Sequence, residues 1–250
     1  MLLTKKGVEI TGVCDLHPDL LGKSMFNALE EKQNSHPEVI VSDDIDSLLN
    51  KDTCDVVLLA TDSYTRKAFP KMVKIMEKGI NVISTAEEMA YPQAQEPELA
   101  KELHKIAKEN GVTVLGTGIN PGFIMDLLVV ALTGVMTDVT HIEANRVNSL
   151  SPFGPAVMEE QGVGITLDEF NHGLETDTLA GHVGFAESVM MIADAIGVKL
   201  DKFEQQMAPI VTTVDRKSPY GFAKAGNVAG VNMTGQGIIN NEVFIDMKHP

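Results

Sequence analysis

The side chains able to hold a ligand or move a proton in this 250-residue sequence gather where short apolar runs end. Asp15 closes the run that starts at Val8 and reaches Val13-Cys14, with His17 two residues on. A carboxylate at such a strand end accepts two hydrogen bonds from a ribose diol, and its charge repels a 2′-phosphate. His17 could accommodate that phosphate and blur the preference, and Asp15 could equally be a turn or cap residue. Ala60-Thr61-Asp62-Ser63 closes the apolar run Asp55 to Leu59. Small residues there let backbone and hydroxyls meet a pyrophosphate or a ribose, with Asp62 or Ser63 serving otherwise as a helix cap. Thr85-Ala86-Glu87-Glu88 follows the run Asn81 to Ser84 and supplies two adjacent carboxylates. They suit a nicotinamide ribose or a cationic substrate, or else stand as solvated acids at a helix start.

Val112 to Leu115 leads into Gly116-Thr117-Gly118-Ile119-Asn120-Pro121-Gly122, running on to Asp126. The glycines let the chain turn and let backbone approach a ligand. Pro121 suits a first helical position, and Asn120 would cap that helix with its amide at the ligand-binding edge of a sheet. Further on, Gly181-His182-Val183-Gly184-Phe185-Ala186-Glu187-Ser188 combines an imidazole and an acid. His182 and Glu187 lie five apart, roughly 140° around a helix, so they need not share a face. His182 is a candidate proton carrier near neutral pH, against the structural histidine that a helix more often holds. Arg146 could clamp a carboxylate with both arms, or form a surface ion pair.

Other chemistries find little support. Glu169-Phe170-Asn171-His172 has the spacing of a helical metal-ligand pair, but no second pair accompanies it. His-Glu-x-x-His, Cys-x-x-Cys and Gly-x-Ser-x-Gly are absent. Asn232-Met233-Thr234 is a glycosylation sequon only for a secreted chain. A net charge of −15 leaves no basic face for nucleic acid. The longest apolar run, Leu127 to Leu132, falls far short of the roughly 20 residues that span a bilayer. No secretion signal is legible at Met1 to Lys6, and Cys14 and Cys54 read as small buried hydrophobes, so a cytoplasmic setting is expected.

The elements that must position these residues alternate. Strands at Val8–Val13, Val39–Val41, Asp55–Thr61, Asn81–Thr85 and Val112–Leu115 are separated by helices that stop at Gly79 and at Asn110-Gly111. Nearly all-apolar strands between such helices predict a doubly wound parallel sheet, the Rossmann type of α/β fold. A linking helix over about 121 to 135 leads to an α+β region. There Val139 to Val147 alternates, a long helix runs from Thr178 to Gly197, and strand-like runs fill 203 to 250. The reading is a dinucleotide-binding domain over 1–120 and a substrate or oligomerisation domain over 121–250. The acid-ending strand comes first, with no Gly-x-Gly-x-x-Gly turn before it, and the last strand has nothing after it. Both domains are therefore expected to be truncated.

On Ser84 to Glu88, Gly116 to Asp126, Gly181 to Ser188 and the closing Met247-Lys248-His249-Pro250, the chain resembles the 2,4-diaminopentanoate dehydrogenase family. That family is related to dihydrodipicolinate reductase and meso-diaminopimelate dehydrogenase. The resemblance runs nearly end to end, departing in the missing glycine turn and the early end. It implies oxidative deamination of a small diamino acid in ornithine breakdown, with NAD or NADP, giving 2-amino-4-oxopentanoate and ammonia. It also implies a cytoplasmic homodimer, with no nucleic acid or membrane partner. The implied cofactor contacts are Asp15, His17, Ala60, Thr61, Ser63, Thr85, Ala86, Glu87, Asn120, Pro121 and Gly122. For that chemistry Glu88 or His182 would take the proton and Arg146 would hold the carboxylate, with Glu187 the fourth catalytic candidate. A dihydrodipicolinate-reductase-like imine reductase fits less well, since His-His-x-x-x-Lys is absent. A non-catalytic dinucleotide-binding fragment is the third reading.

Overall fold

The computed structural model describes residues 2–30 and 36–250. The chain packs into two compact units that interleave along it: Met1–Leu59, Phe69–Ile83 and Glu102–Val114 form the first, and Ala60–Ala68, Ser84–Lys101 and Leu115–Pro250 the second.

The first unit opens with β1 (Val13–Cys14), α1 (Met25–Ala28), β2 (Val41–Ser42), α2 (Ile45–Leu48) and β3 (Val56–Leu59). Each short helix is capped as its sequence allows: Ser24 accepts the Phe26 N–H, and Asp44 accepts those of Asp46 and Ser47. β1 pairs parallel with β2, Val13 opposite Val41. The strand expected from Val8 is only these two residues, and β2 is its one strand partner among the described residues. With so little covering it, Cys14 is exposed and Cys54 half-buried, so neither is the buried hydrophobe expected. β3 also departs from expectation. Val56 is 42% and Leu58 46% exposed, whereas a central parallel strand would bury both faces.

α3 (Thr65–Glu77) and α4 (Pro97–Asn110) end before Gly79 and Gly111, whose φ of 73° and 66° stop the helices as foreseen. The inner stripe of α3 buries Met72, Ile75 and Met76, and α4 buries Leu103 and Ala107. Between and after these helices come β4 (Asn81–Ser84) and β5 (Val114–Gly116), in the sheet order β3-β4-β5. The Val82 N–H donates to Thr113 O and the Thr117 N–H to Ser84 O, at 2.9 and 3.0 Å. The partner numbers rise together, so β4 and β5 run parallel.

In the second unit follow α5 (Leu127–Thr133), β6 (Ile142–Asn145), α6 (Pro155–Glu160), α7 (Leu167–Glu175) and α8 (Phe185–Ala195). Strands β7 (Lys202–Val211), β8 (Arg216–Lys217), β9 (Phe222–Ala223), β10 (Val228–Ile239) and β11 (Glu242–His249) complete the chain. A mixed sheet runs β6-β11-β10-β7, with β10 antiparallel to both neighbours and β11 parallel to β6. Phe185, Val189, Ile192 and Ala193 of α8 are buried at helical spacing in one core with Val231, Met233, Ile245 and Met247 of the sheet. The helix expected from Thr178 begins only at Phe185. Gly181 (φ 60°) and Gly184 (φ 114°) hold conformations no helix accepts.

Candidate active site

The segment Gly116 to Asp126 is a tight series of turns rather than a helix start. Gly122, at φ 120°, bars a helix from running through Pro121, and the Asn120–Pro121 peptide is cis. Asn120 therefore caps nothing; α5 starts at Leu127 with Asp126 as its cap. The space left by the missing side chains of Gly116 and Gly118 is filled by the chain's own carbonyls, those of Met89 and Pro121, rather than held open.

Asp126 is fully buried, with donors on both carboxylate oxygens. Its carboxylate accepts the N–H of Gly122 at 2.7 Å, that of Leu127 at 2.6 Å and the hydroxyl of Ser188 at 2.9 Å. A Cβ on Gly184 would lie 2.4 Å from the Pro121 ring, so a glycine there is what lets the two segments meet. Gly116–Asp126 and Gly181–Ser188, separate motifs in the sequence, are thus one packed structure. Within it the side-chain amide nitrogen of Asn120 is buried with no hydrogen-bond partner.

Two further acids lie inside this unit. Glu88, in a 3-10 turn over Glu87–Ala90, is 7% exposed; its Oε2 accepts the Thr65 N–H at 2.7 Å. Its own N–H donates to the Ser63 carbonyl at 3.2 Å, which fixes the strand-end segments 60–68 and 84–90 to each other. Glu187 is 0% exposed: Oε1 accepts from Gln95 Nε2 at 2.8 Å, while Oε2 is buried without a partner. Burial pushes the Glu187 pKa up, opposed by the Gln95 bond, and the charge of Glu88 raises it further. The hydroxyl of Thr65 is also buried and unpartnered. Tyr91 donates to Asp194, and burial followed by that bond pushes its pKa up to about 12. Of the remaining residues here, Thr85, Ala60 and Thr61 are exposed, Ala86 is buried and Glu87 is half-buried. Thr61 donates to the carboxylate of Asp62 at 2.6 Å.

His182 precedes α8 instead of lying on it. Its N–H contacts the Met233 sulfur at 2.9 Å, and its ring meets Phe185 edge-on and lies 5.0 Å from the ring of His249. His249 Nε2 in turn faces a guanidinium nitrogen of Arg146 at 3.1 Å. Burial, then the nearby His249 and Arg146, push the His182 pKa down to about 3. Near neutral pH its imidazole is therefore uncharged, able to offer or accept a hydrogen bond but poorly suited to carry the proton expected of it. Arg146 forms no ion pair among the described residues; its partner is His249. Glu169 closes a capping box with Thr166 at the start of α7, which uses its carboxylate structurally. No group of three or more potential metal ligands occurs among the described residues.

In the first unit Asp15 and His17 are both exposed at the carboxyl end of β1. Asp15 Oδ1 accepts the His17 N–H at 2.8 Å, and His17 Nδ1 accepts the Asp19 N–H at 3.3 Å. The turn uses one oxygen of Asp15 and leaves the other clear. Sequence reasoning had given no role to Thr65, Gln95, Asp126, Ser188 or His249. Only Asp126, an acid directly before an apolar helical run, carried a usable signal.

A family model for the 2,4-diaminopentanoate dehydrogenase C-terminal domain matches residues 123–250. The 2,4-diaminopentanoate dehydrogenase of Acetoanaerobium sticklandii is 61% identical over 251 residues, covering all of this chain and 70% of that protein. An amine dehydrogenase of Streptomyces virginiae is 24% identical over 84% of this chain and 59% of that one. Among solved structures, the amine dehydrogenase from Mycobacterium smegmatis superposes with a TM-score of 0.81 at 24% identity, over 98% of this chain and 71% of its own. That likeness establishes the fold, a Rossmann-type α/β fold with parallel strands. The matched C-terminal domain and the 61% identity across this chain together place it in the 2,4-diaminopentanoate dehydrogenase family.

Proposed function

We infer that the chain acts in the NAD(P)-dependent oxidative deamination of 2,4-diaminopentanoate, giving 2-amino-4-oxopentanoate and ammonia. The 61% identity to a 2,4-diaminopentanoate dehydrogenase across the whole chain carries the inference. Nucleotide binding belongs to residues 1–120 and substrate binding to 121–250. The donors and acceptors present suit a dinucleotide. Asp15 offers an exposed carboxylate oxygen to a ribose diol. The buried amide nitrogen of Asn120 lacks an acceptor that a carboxamide or ribose oxygen would provide. In the second unit, Thr61, Ser63, Thr85 and Glu87, with the backbone at Ala60, Ala86, Pro121 and Gly122, are the cofactor contacts of this reading. His17, beside Asp15, bears on the choice between NAD and NADP.

When bound, the nicotinamide supplies the hydride acceptor. The chain's own residues must hold the amine-bearing carbon, admit one water and move protons. Glu88 and Glu187 are buried acids in one unit, and Glu187 has an oxygen without a partner. Their placement supports proton transfer from the attacking water and to the departing ammonia. His182, neutral beside His249, acts as a hydrogen-bonding group, and Arg146 orients His249. The same reading includes a cytoplasmic homodimer formed through the mixed sheet, whose β7 leaves Ile210 and Val211 exposed.

The test is nicotinamide reduction followed by absorbance, with 2,4-diaminopentanoate and either NAD or NADP, beside calorimetric titration with NADH and NADPH. The expected result is micromolar nucleotide binding and diamino-acid-dependent reduction with stoichiometric ammonia. Nucleotide binding together with turnover of a cyclic imine, and none of the open diamino acid, would overturn the substrate assignment.

A further inference from the structure

Two side chains of one short segment grip two acids on α8. Gln95, just past a 3-10 turn over Pro92–Ala94, donates from Nε2 to Glu187 Oε1 at 2.8 Å. Tyr91, just before that turn, donates to Asp194. Glu187 and Asp194 lie seven residues apart, about two turns, so they share one face of the helix. The partner numbers fall as the segment numbers rise, so 91–95 runs along that face against the direction of α8. Its near neighbour Glu88 is pinned to Thr65, which ties the segment down at its other end.

The two grips differ in what replaces them. Asp194 is exposed, so water takes over if Tyr91 is lost. Glu187 is buried, and Gln95 is its one side-chain donor among the described residues. Gln95 lies at the surface and reaches inward to make this bond. A lone donor does two things for a buried carboxylate: it favours the ionised form, which burial disfavours, and it fixes which oxygen stays free. Here Oε1 is taken and Oε2 has no partner. Glu88 is the charged neighbour that acts on Glu187. On the other elements packed against α8, Asp126 spends its oxygens on Gly122, Leu127 and Ser188, and His182 sits against Phe185 and His249. The sheet brings Phe203, Met207, Met233 and Ile245 to the same core.

Resting on the proton-transfer role proposed for Glu187 above, we propose that Gln95 is a positioning residue: it holds Oε1 of Glu187 so that Oε2 alone exchanges protons with the reacting groups. Oε2 takes a proton from water as the water oxygen bonds the iminium carbon. It gives that proton to the nitrogen; the carbon–nitrogen bond then breaks, and the nitrogen leaves as ammonium with the hydroxyl proton. Ionised Glu187 starts this sequence, so activity rises with pH as Glu187 loses its proton. Gln95 sets where that rise falls.

The pH profile of diamino-acid-dependent nicotinamide reduction tests this in the parent, Gln95→Leu, Gln95→Lys and Tyr91→Phe. Gln95→Leu keeps the bulk and loses the donor. It should lower kcat by about 10- to 100-fold with little change in KM. It should also move the acid limb of kcat up by about one pH unit or more. Gln95→Lys puts a cation beside the carboxylate and should move the limb down, which settles the question if Gln95→Leu does not fold. Tyr91→Phe loosens the same segment without touching Glu187 and should leave the limb in place. The proposal is overturned if either Gln95 variant keeps the parent's limb, or if Tyr91→Phe moves it as far as Gln95→Leu does. Glu187→Gln with the parent's kcat would remove this inference and leave the proposed function standing. Absence of diamino-acid turnover in the parent would end both.

Discussion

Asp126 and Glu187 are each 0% exposed and sit in the same unit, yet Asp126 accepts three hydrogen bonds while Glu187 leaves an oxygen with none. A buried carboxylate with donors on both oxygens is a strut: its desolvation is offset by the donors that hold it. A buried carboxylate oxygen with no donor is a standing cost, and such costs cluster where a ligand or a reaction uses the group. The difference gives Asp126 a structural part and singles out Glu187 as the acid whose proposed proton transfer is worth testing.

The contrast breaks if the two acids respond alike to substitution. Asp126→Ala should cost most, about 3–5 kcal/mol, because two buried N–H groups and the Ser188 hydroxyl lose their acceptor. Chemical denaturation would show it as a lower midpoint with an unchanged slope.

Glu187→Gln should leave stability unchanged or higher yet lower kcat by about 100-fold or more, the range for a lost proton-transfer group. It should also alter the pH dependence of stability. Since the folded pKa of Glu187 lies above its ordinary 4.5, its protonated form is the favoured one in the native state. Its contribution is therefore complete below pH 4.5 and is lost as pH rises through the folded value. Melting temperatures measured across that window should fall less steeply in Glu187→Gln than in the parent. An identical slope in both would show that burial costs this acid nothing.

The smallest effect belongs to a third acid. Glu169 is exposed and closes a capping box, its carboxylate accepting the N–H of the cap residue Thr166, in water. Glu169→Ala should cost about 1 kcal/mol and leave kcat unchanged. A loss as large as that of Asp126→Ala would mean that burial does not set the scale.

Much of the fold was legible locally. Alternating apolar runs marked the strands, and the helices at Gly79, Gly111 and Gly197 stopped where a residue of positive φ was expected. Glu88 and Glu187 were also named from sequence, because acids in glycine- or strand-end contexts attract notice. What could not be read depends on contacts between distant residues. Nothing near Gly184 announces that it must clear the ring of Pro121. The neutral state of His182 depends on burial, on His249 and on Arg146, none of which its own sequence context contains. The exposure of Val56 and Leu58 likewise depends on what lies across the sheet, not on the apolar run itself.

One carboxylate on Asp126 holds the N–H of Gly122 in the loop, the first turn of α5 at Leu127 and the hydroxyl of Ser188 on α8. These three places consequently share one acceptor group. Opening the loop at Gly122 would strip a donor from a fully buried carboxylate, so the loop that carries Asn120 is tied energetically to the two helices the same group anchors.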